Sequence, residues 1–101
     1  MEALLLMESK NLQKAKDLLL KDDVVSRSSI MWKEAKSFGF SEGYYCYISG
    51  TEDQIKRAIE LSKELAKEVK DSQKNKEKEI VIGKIKEEQD KALEGFGGIF
   101  G

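Results

Sequence analysis

Residues 43–69 read GYYCYISGTEDQIKRAIELSKELAKEV and combine the signals of a strand, a tight turn and a long helix. Aromatic, β-branched and small side chains fill Tyr44 to Ser49, which is typical of a half-buried strand. After a glycine, Thr51 and Gln54 have the spacing of a capping box. Apolar side chains then recur every three or four positions as far as Val69. The segment therefore predicts a strand followed by an amphipathic helix that ends near Val69.

An apolar run, Ala3–Met7, precedes this unit and is short enough for a strand buried on both faces. Its residues favour helices, so a single helix reaching about Lys21 is the alternative. Ser9 is a good N-cap, and the apolar side chains after it keep helical spacing. We therefore predict a strand over 3–7 and a helix over 10–21.

The segment before the aromatic strand predicts a second helix, with a serine as its N-cap. Its apolar stripe would consist of Met31, Ala35 and Phe38. Gly39 stands where a left-handed C′ residue is expected, and Phe40 is placed for the hydrophobic contact of a Schellman motif. Val24-Val25, ahead of this helix, is a candidate short strand.

The sequence after Val69 is more polar. Residues 71–78, DSQKNKEK, have no apolar side chain and predict a mobile charged loop. The β-branched residues at 80–82 suit a third short strand. One helix over 79–94 accounts for more residues and is the favoured interpretation, although Gly83 costs it about 1 kcal/mol relative to Ala. A Gly/Phe-rich C-terminal tail follows at 96–101.

Together these elements predict a small two-layer α/β or α+β domain over residues 1–95, in the order β-α-α-β-α-α. Strands joined through helices imply a right-handed crossover and a parallel pair. Two strands are marginal as a sheet, so a third is expected from 80–82, from Val24-Val25 or from another subunit. A ferredoxin-like split βαβ arrangement is one way to complete such a sheet.

Composition excludes several classes of function. The 18 basic and 19 acidic residues are interspersed, whereas a nucleic-acid-binding protein normally carries a basic stripe. With no His and one Cys, the chain lacks the commonest metal ligand and general base and cannot form an internal disulfide. No apolar run reaches the about 18–20 residues of a membrane span. We expect a non-catalytic cytoplasmic protein with no cofactor, no metal, no membrane contact and no nucleic-acid partner.

Two groups of residues are candidates for binding. Ser26, Arg27, Ser28 and Ser29 would stand at a predicted helix start, where hydroxyls, backbone N–H groups and a guanidinium favour an anion. The simpler interpretation is that one serine caps the helix and the arginine is solvated. The second group is aromatic and is predicted to lie at an interface: Tyr45, Tyr47, Trp32, Phe96 and Phe100.

The aromatic residues suggest a function in protein–protein interaction. Tyr45 and Tyr47 share one strand face, and helices cover it or it presents two amphipathic rings to a partner. We expect a small interaction domain that forms a homodimer or joins a protein partner. The alternative is a regulatory domain that binds an anion or another small molecule at residues 26–29.

Overall fold

The computed structural model describes residues 1–100, and the side chains of residues 1–89. The chain divides into two units, Met1–Lys70 and Asp71–Gly101. The first unit contains β1 (Glu2–Met7), α1 (Leu12–Lys21), β2 (Ser29–Glu34), β3 (Tyr44–Ser49), α2 (Glu52–Ser62) and β4 (Ala66–Glu68). Three short 3₁₀ turns connect them, at Ser9–Asn11, Val25–Arg27 and Ala35–Phe38. The second unit contains α3 (Glu77–Phe100).

The four strands form one sheet in the order β2-β3-β1-β4, and every neighbouring pair is antiparallel. With the chain order β-α-β-β-α-β, this is the ferredoxin-like split βαβ arrangement. The predicted two-layer α+β class is therefore confirmed. The predicted parallel pair is wrong, since β1 and β3 are antiparallel. The chain makes its crossover from β1 to β2, and β3 then returns between those two strands.

The core lies between the sheet and the two helices of the first unit. Alternate residues of β1 and β3 point to this side, including Leu5 and its register partner Cys46. Ala15 and Leu19 of α1 and Ile55 of α2 belong to the same buried cluster. The opposite face of the sheet carries the other alternate residues, so α1 and α2 cover one face only.

The capping box that begins α2 is confirmed. The Gln54 N–H donates to Thr51 Oγ1 at 3.2 Å, and the Thr51 N–H donates to Gln54 Oε1 at 2.9 Å. The predicted continuation of the helix to Val69 is wrong, because α2 ends at Ser62. Ala66–Glu68 pairs with β1 as β4, although its residues are poor strand formers. Pairing with a central strand outweighs local propensity here.

The predicted helix with Met31, Ala35 and Phe38 on one stripe is also wrong. Its first half is β2, which pairs with β3 along its whole length. Ile30 and Trp32 pack against the core, so the true period is two rather than three or four. Only the C-terminal part coils, as the 3₁₀ turn Ala35–Phe38, and Gly39 follows it with the predicted left-handed conformation at φ 82°.

Several other predictions are confirmed. Residues 3–7 are strand, α1 lies within the predicted 10–21, and residues 80–82 lie in a helix. Val24-Val25 is not a strand, because Val25 begins a 3₁₀ turn. α3 begins at Glu77, inside the predicted charged loop, whose mobility stays a prediction. The predicted tail at 96–101 lies outside the residues whose side chains are described.

A close approach of two backbones fixes the start of β3. Gly43 has φ 97° and accepts a hydrogen bond from the Ala35 N–H at 2.9 Å, which closes the connection between β2 and β3. A Cβ atom at Gly43 would overlap the carbonyl oxygen of Met7. The position therefore requires glycine for both its φ and its space.

Candidate interaction surface

The sheet has two edges that differ in length. The β2 edge is the outer side of Ser29–Glu34, a strand of six residues, whereas the β4 edge is the outer side of Ala66–Glu68, a strand of three. Within residues 1–100, no further strand pairs with either edge. The outer backbone N–H and C=O groups of an edge strand are a template for pairing with another chain. β2 offers about twice as long a template as β4.

The side chains of β2 are apolar at its centre. Ile30, Met31 and Trp32 are each half-buried, and the strand is exposed at its two end residues. Ile30 and Trp32 lie on the side of α1 and α2, opposite Ile48 and Cys46 of β3. Met31 lies on the other face, as its pairing with Tyr47 shows. At the β2 edge, both faces of the sheet therefore carry partly accessible apolar side chains.

Trp32 is the one aromatic side chain of this edge strand. The predicted helix with Met31 on its stripe would have contained Trp32, and the structure places this residue on the edge strand instead. The Lys16 ammonium of α1 lies 5.7 Å from the centroid of the indole ring, within the range of a cation–π contact. This contact orients the ring while leaving part of it accessible. Trp is among the residues enriched at the centres of protein interfaces.

Tyr45 and Tyr47 share one face of β3, as the strand pattern predicted. That face is the one opposite α1 and α2, and both residues are buried. The Tyr45 ring meets Phe38 edge-to-face at 5.6 Å. The Tyr47 hydroxyl donates to Glu2 Oε2, and burial, then this carboxylate, raises the pKa of Tyr47 to about 12. Only 6% of Tyr47 is exposed. These rings therefore offer little accessible surface for the interface role predicted for them.

The remaining predicted interface residues, Phe96 and Phe100, lie outside the residues whose side chains are described.

The anion site predicted at residues 26–29 does not lie at the start of an α-helix. Val25–Arg27 is a 3₁₀ turn and Ser29 begins β2. The Asp22 carboxylate accepts hydrogen bonds from the N–H groups of Val24 and Val25, at 3.1 and 3.0 Å. The hydroxyl of Ser28 donates to the Val25 carbonyl at 2.6 Å. A carboxylate of the chain thus occupies the backbone N–H groups at which an anion would bind.

An ion pair holds this carboxylate in place. The Arg57 Nε donates to Asp22 Oδ1 at 2.8 Å, and Nη2 lies 2.8 Å from the same oxygen. The hydrogen bond from Val25 lowers the pKa of Asp22 from its ordinary value, and Arg57 lowers it further. Arg57, on α2, therefore fastens the turn that leads into β2. The sequence pointed to the neighbouring Arg27, because that residue is surrounded by hydroxyls.

The described residues of the first unit line several open cavities. One, of about 400 Å³, lies between α1 and α2 and is lined by Leu18, Leu61 and Leu65 with charged residues at its rim. Another, of about 330 Å³, is lined by polar and apolar residues around the C-terminal end of β1, including Asn11 and Lys67. No group of acidic, Cys or His side chains in the described part of the chain is arranged to hold a metal ion.

The sequence contained one signal for the β2 edge that the helical interpretation hid. Residues 29–34, SIMWKE, alternate between the two faces of a sheet, with Ile30 and Trp32 on one of them. Three apolar residues in a row also fit a helix, and that ambiguity is expected for short segments.

Comparison with protein-family models, with curated proteins and with solved structures finds no significant match. Among the described residues, no helix combines the length and the apolar character that crossing a membrane requires. Cys46 is buried, and burial raises the pKa of its thiol to about 12. A thiol held in its neutral form is a poor nucleophile.

Proposed function

We propose that this chain is a small interaction domain that self-associates through the β2 edge. The observation that carries the proposal is the six-residue edge strand with apolar side chains at its centre. Natural sheet edges are usually protected by shortness, charge, proline or a bulge. The central residues of β2 have none of these devices, since Ile30, Met31 and Trp32 are uncharged, none is a proline, and the register with β3 runs through them without a bulge.

Charge elsewhere on the surface supports the same location. The chain has 37% charged residues, and both signs are interspersed along it. Association between copies concentrates where charge is absent, because like charges in contact repel and desolvation of charges is costly. The centre of the β2 edge is such a place. A homodimer in the cytoplasm is the assembly we propose.

The proposed anion-binding alternative has no comparable support. Its residues are divided between a turn and a strand, and Asp22 already accepts the hydrogen bonds from the turn's N–H groups.

Sedimentation of the native chain and of Met31→Lys tests the proposal. The native chain is expected to sediment at twice its 11.5 kDa mass at tens of micromolar. A lysine at the middle of the edge strand is expected to weaken the dimer by about five-fold or more, because charge then enters the contact from both copies.

Leu18→Lys is the matched control. It adds the same charge to an apolar side chain that is 42% exposed on α1, beside the cavity between α1 and α2. The dimer should persist in this variant. A native chain that stays at 11.5 kDa, or a dimer lost in Leu18→Lys and kept in Met31→Lys, would overturn the proposal.

A further inference from the structure

We infer that the partner of the β2 edge is a second copy of this chain, paired antiparallel with Met31 on the two-fold axis. This inference rests on the proposed self-association and adds its register. A two-fold axis is the commonest symmetry of homo-oligomers, and it brings identical edges together. The two four-stranded sheets would then form one continuous sheet of eight strands.

The pleat restricts the registers that such a pair can adopt. Residues directly opposite each other in an antiparallel pair point to the same face of the sheet. Ile30 and Trp32 point to the side of α1 and α2, whereas Met31 points to the other side with Tyr47. In the continuous sheet, α1 and α2 of both copies lie on the same side. A residue that points to that side in one copy can therefore stand opposite only a residue that points to the same side in the other copy. A residue of β2 must therefore lie on the axis, opposite itself.

With Met31 on the axis, the side chains of the two copies are complementary. Met31 meets Met31, and Ile30 of each copy stands opposite Trp32 of the other. Aromatic residues opposite β-branched residues are among the stabilising cross-strand pairs. On the other face, Ser29 stands opposite Lys33, so no charge faces an apolar side chain or a like charge. Five residues of each strand are paired.

The alternative registers are less favourable. An axis at Trp32 places Met31 opposite Lys33, and Ile30 opposite Glu34. An axis at Lys33 places two like charges directly opposite each other, which is destabilising. An axis at Ile30 pairs only Ser29–Met31 within the strand and leaves Trp32 beyond it. The distribution of charge at the C-terminal end of β2 therefore selects Met31 as the centre.

Disulfide trapping tests the register. In Met31→Cys the two new cysteines face each other across the axis, with Cα atoms about 4.5–5.5 Å apart, within the range of a disulfide. Mild oxidation should convert most of this variant to a covalent dimer on a non-reducing gel. In Lys33→Cys the two copies of the residue lie about 14 Å apart along the strands, so that variant alone should stay uncrosslinked. The native chain is the control and should not cross-link, because its single cysteine, Cys46, is buried.

A mixture of two variants adds an independent measurement. Ser29→Cys mixed with Lys33→Cys should give a mixed covalent dimer, which neither variant gives alone. Cross-linking of Met31→Cys with Lys33→Cys would overturn the Met31 register in favour of the one centred on Trp32. If sedimentation shows a dimer and none of these cysteines cross-links, the register is wrong and self-association stands. If sedimentation shows only monomer, the proposed function itself is wrong.

Discussion

β2 and β4 close the same sheet at opposite ends, yet only one of them presents an apolar edge. β4 has three residues, Ala66-Lys67-Glu68, and two of them are charged. β2 has six residues, and its two charged residues stand together at its C-terminal end. Shortness and charge are the usual protections of an edge strand. The β4 edge is therefore protected, and the β2 edge is not.

The difference has a consequence for assembly. A domain with two adhesive edges would add copies at both and grow into an open filament. A domain with one adhesive edge pairs once, about a two-fold axis, and the assembly closes as a dimer. Protection of β4 is thus as important to the proposed dimer as the apolar centre of β2.

The largest expected effect comes from a substitution at Gly43, in the connection between β2 and β3. Gly43→Ala should destabilise the fold by about 3 kcal/mol or more, because its Cβ overlaps the Met7 carbonyl and its φ is 97°. Gly39→Ala is the control, with φ 82° and open space around the Cβ atom, and should cost about 1–2 kcal/mol. Denaturant midpoints measure both. Equal losses would show that the approach of Gly43 to β1 is unimportant.

A smaller loss is expected at α2, away from both edges. Thr51→Ala combined with Gln54→Ala removes the two hydrogen bonds of the capping box and should cost about 1–2 kcal/mol of unfolding free energy. Association should be unchanged wherever the variant is fully folded, because neither edge is altered. If the folded variant no longer forms the dimer, association does not depend on the side chains of the β2 edge alone.

Removing the charges of β4 should make its edge adhesive, like the proposed β2 edge. Lys67→Ile with Glu68→Thr removes both charges from the β4 edge and should add about 0.5–1 kcal/mol of edge-to-edge attraction. Sedimentation should then show species larger than a dimer at high concentration. Adding Met31→Lys to this variant should reduce those species again. A double variant that remains strictly dimeric would show that charge does not protect β4.

The smallest effect is expected from acid at the turn that leads into β2. The pKa of Asp22 is lowered in the folded chain, so its hydrogen bonds and its ion pair stabilise the fold above its ordinary pKa of 3.8. That contribution is lost as the pH falls through the lower, folded value. Asp22→Asn should therefore lower the melting temperature at pH 6, and the gap to the native chain should narrow near pH 3. A gap that is constant with pH would exclude the carboxylate as its cause.

Local signals predicted β1, α1, β3 and the start of α2, because cap residues and alternating or helical spacing are contained within each segment. β2 and β4 were missed for a different reason. Met31, Ala35 and Phe38 have helical spacing by coincidence, and Ala66–Glu68 consists of helix formers. Both segments become strands through pairing with β3 and β1, which are distant in sequence. An edge, and hence the proposed interaction surface, is a property of that pairing and cannot be seen in one segment.

Amide hydrogen exchange at the two edges, measured over a range of protein concentrations, tests the central claim most directly. The outward-pointing amides of Ser29–Glu34 should exchange more slowly as the concentration rises, because they donate hydrogen bonds to the second copy in the dimer. The amides of Ala66–Glu68 that point away from β1 should exchange at a rate independent of concentration. Exchange in β2 that does not change with concentration, or equal slowing at both edges, would contradict an association directed by the β2 edge.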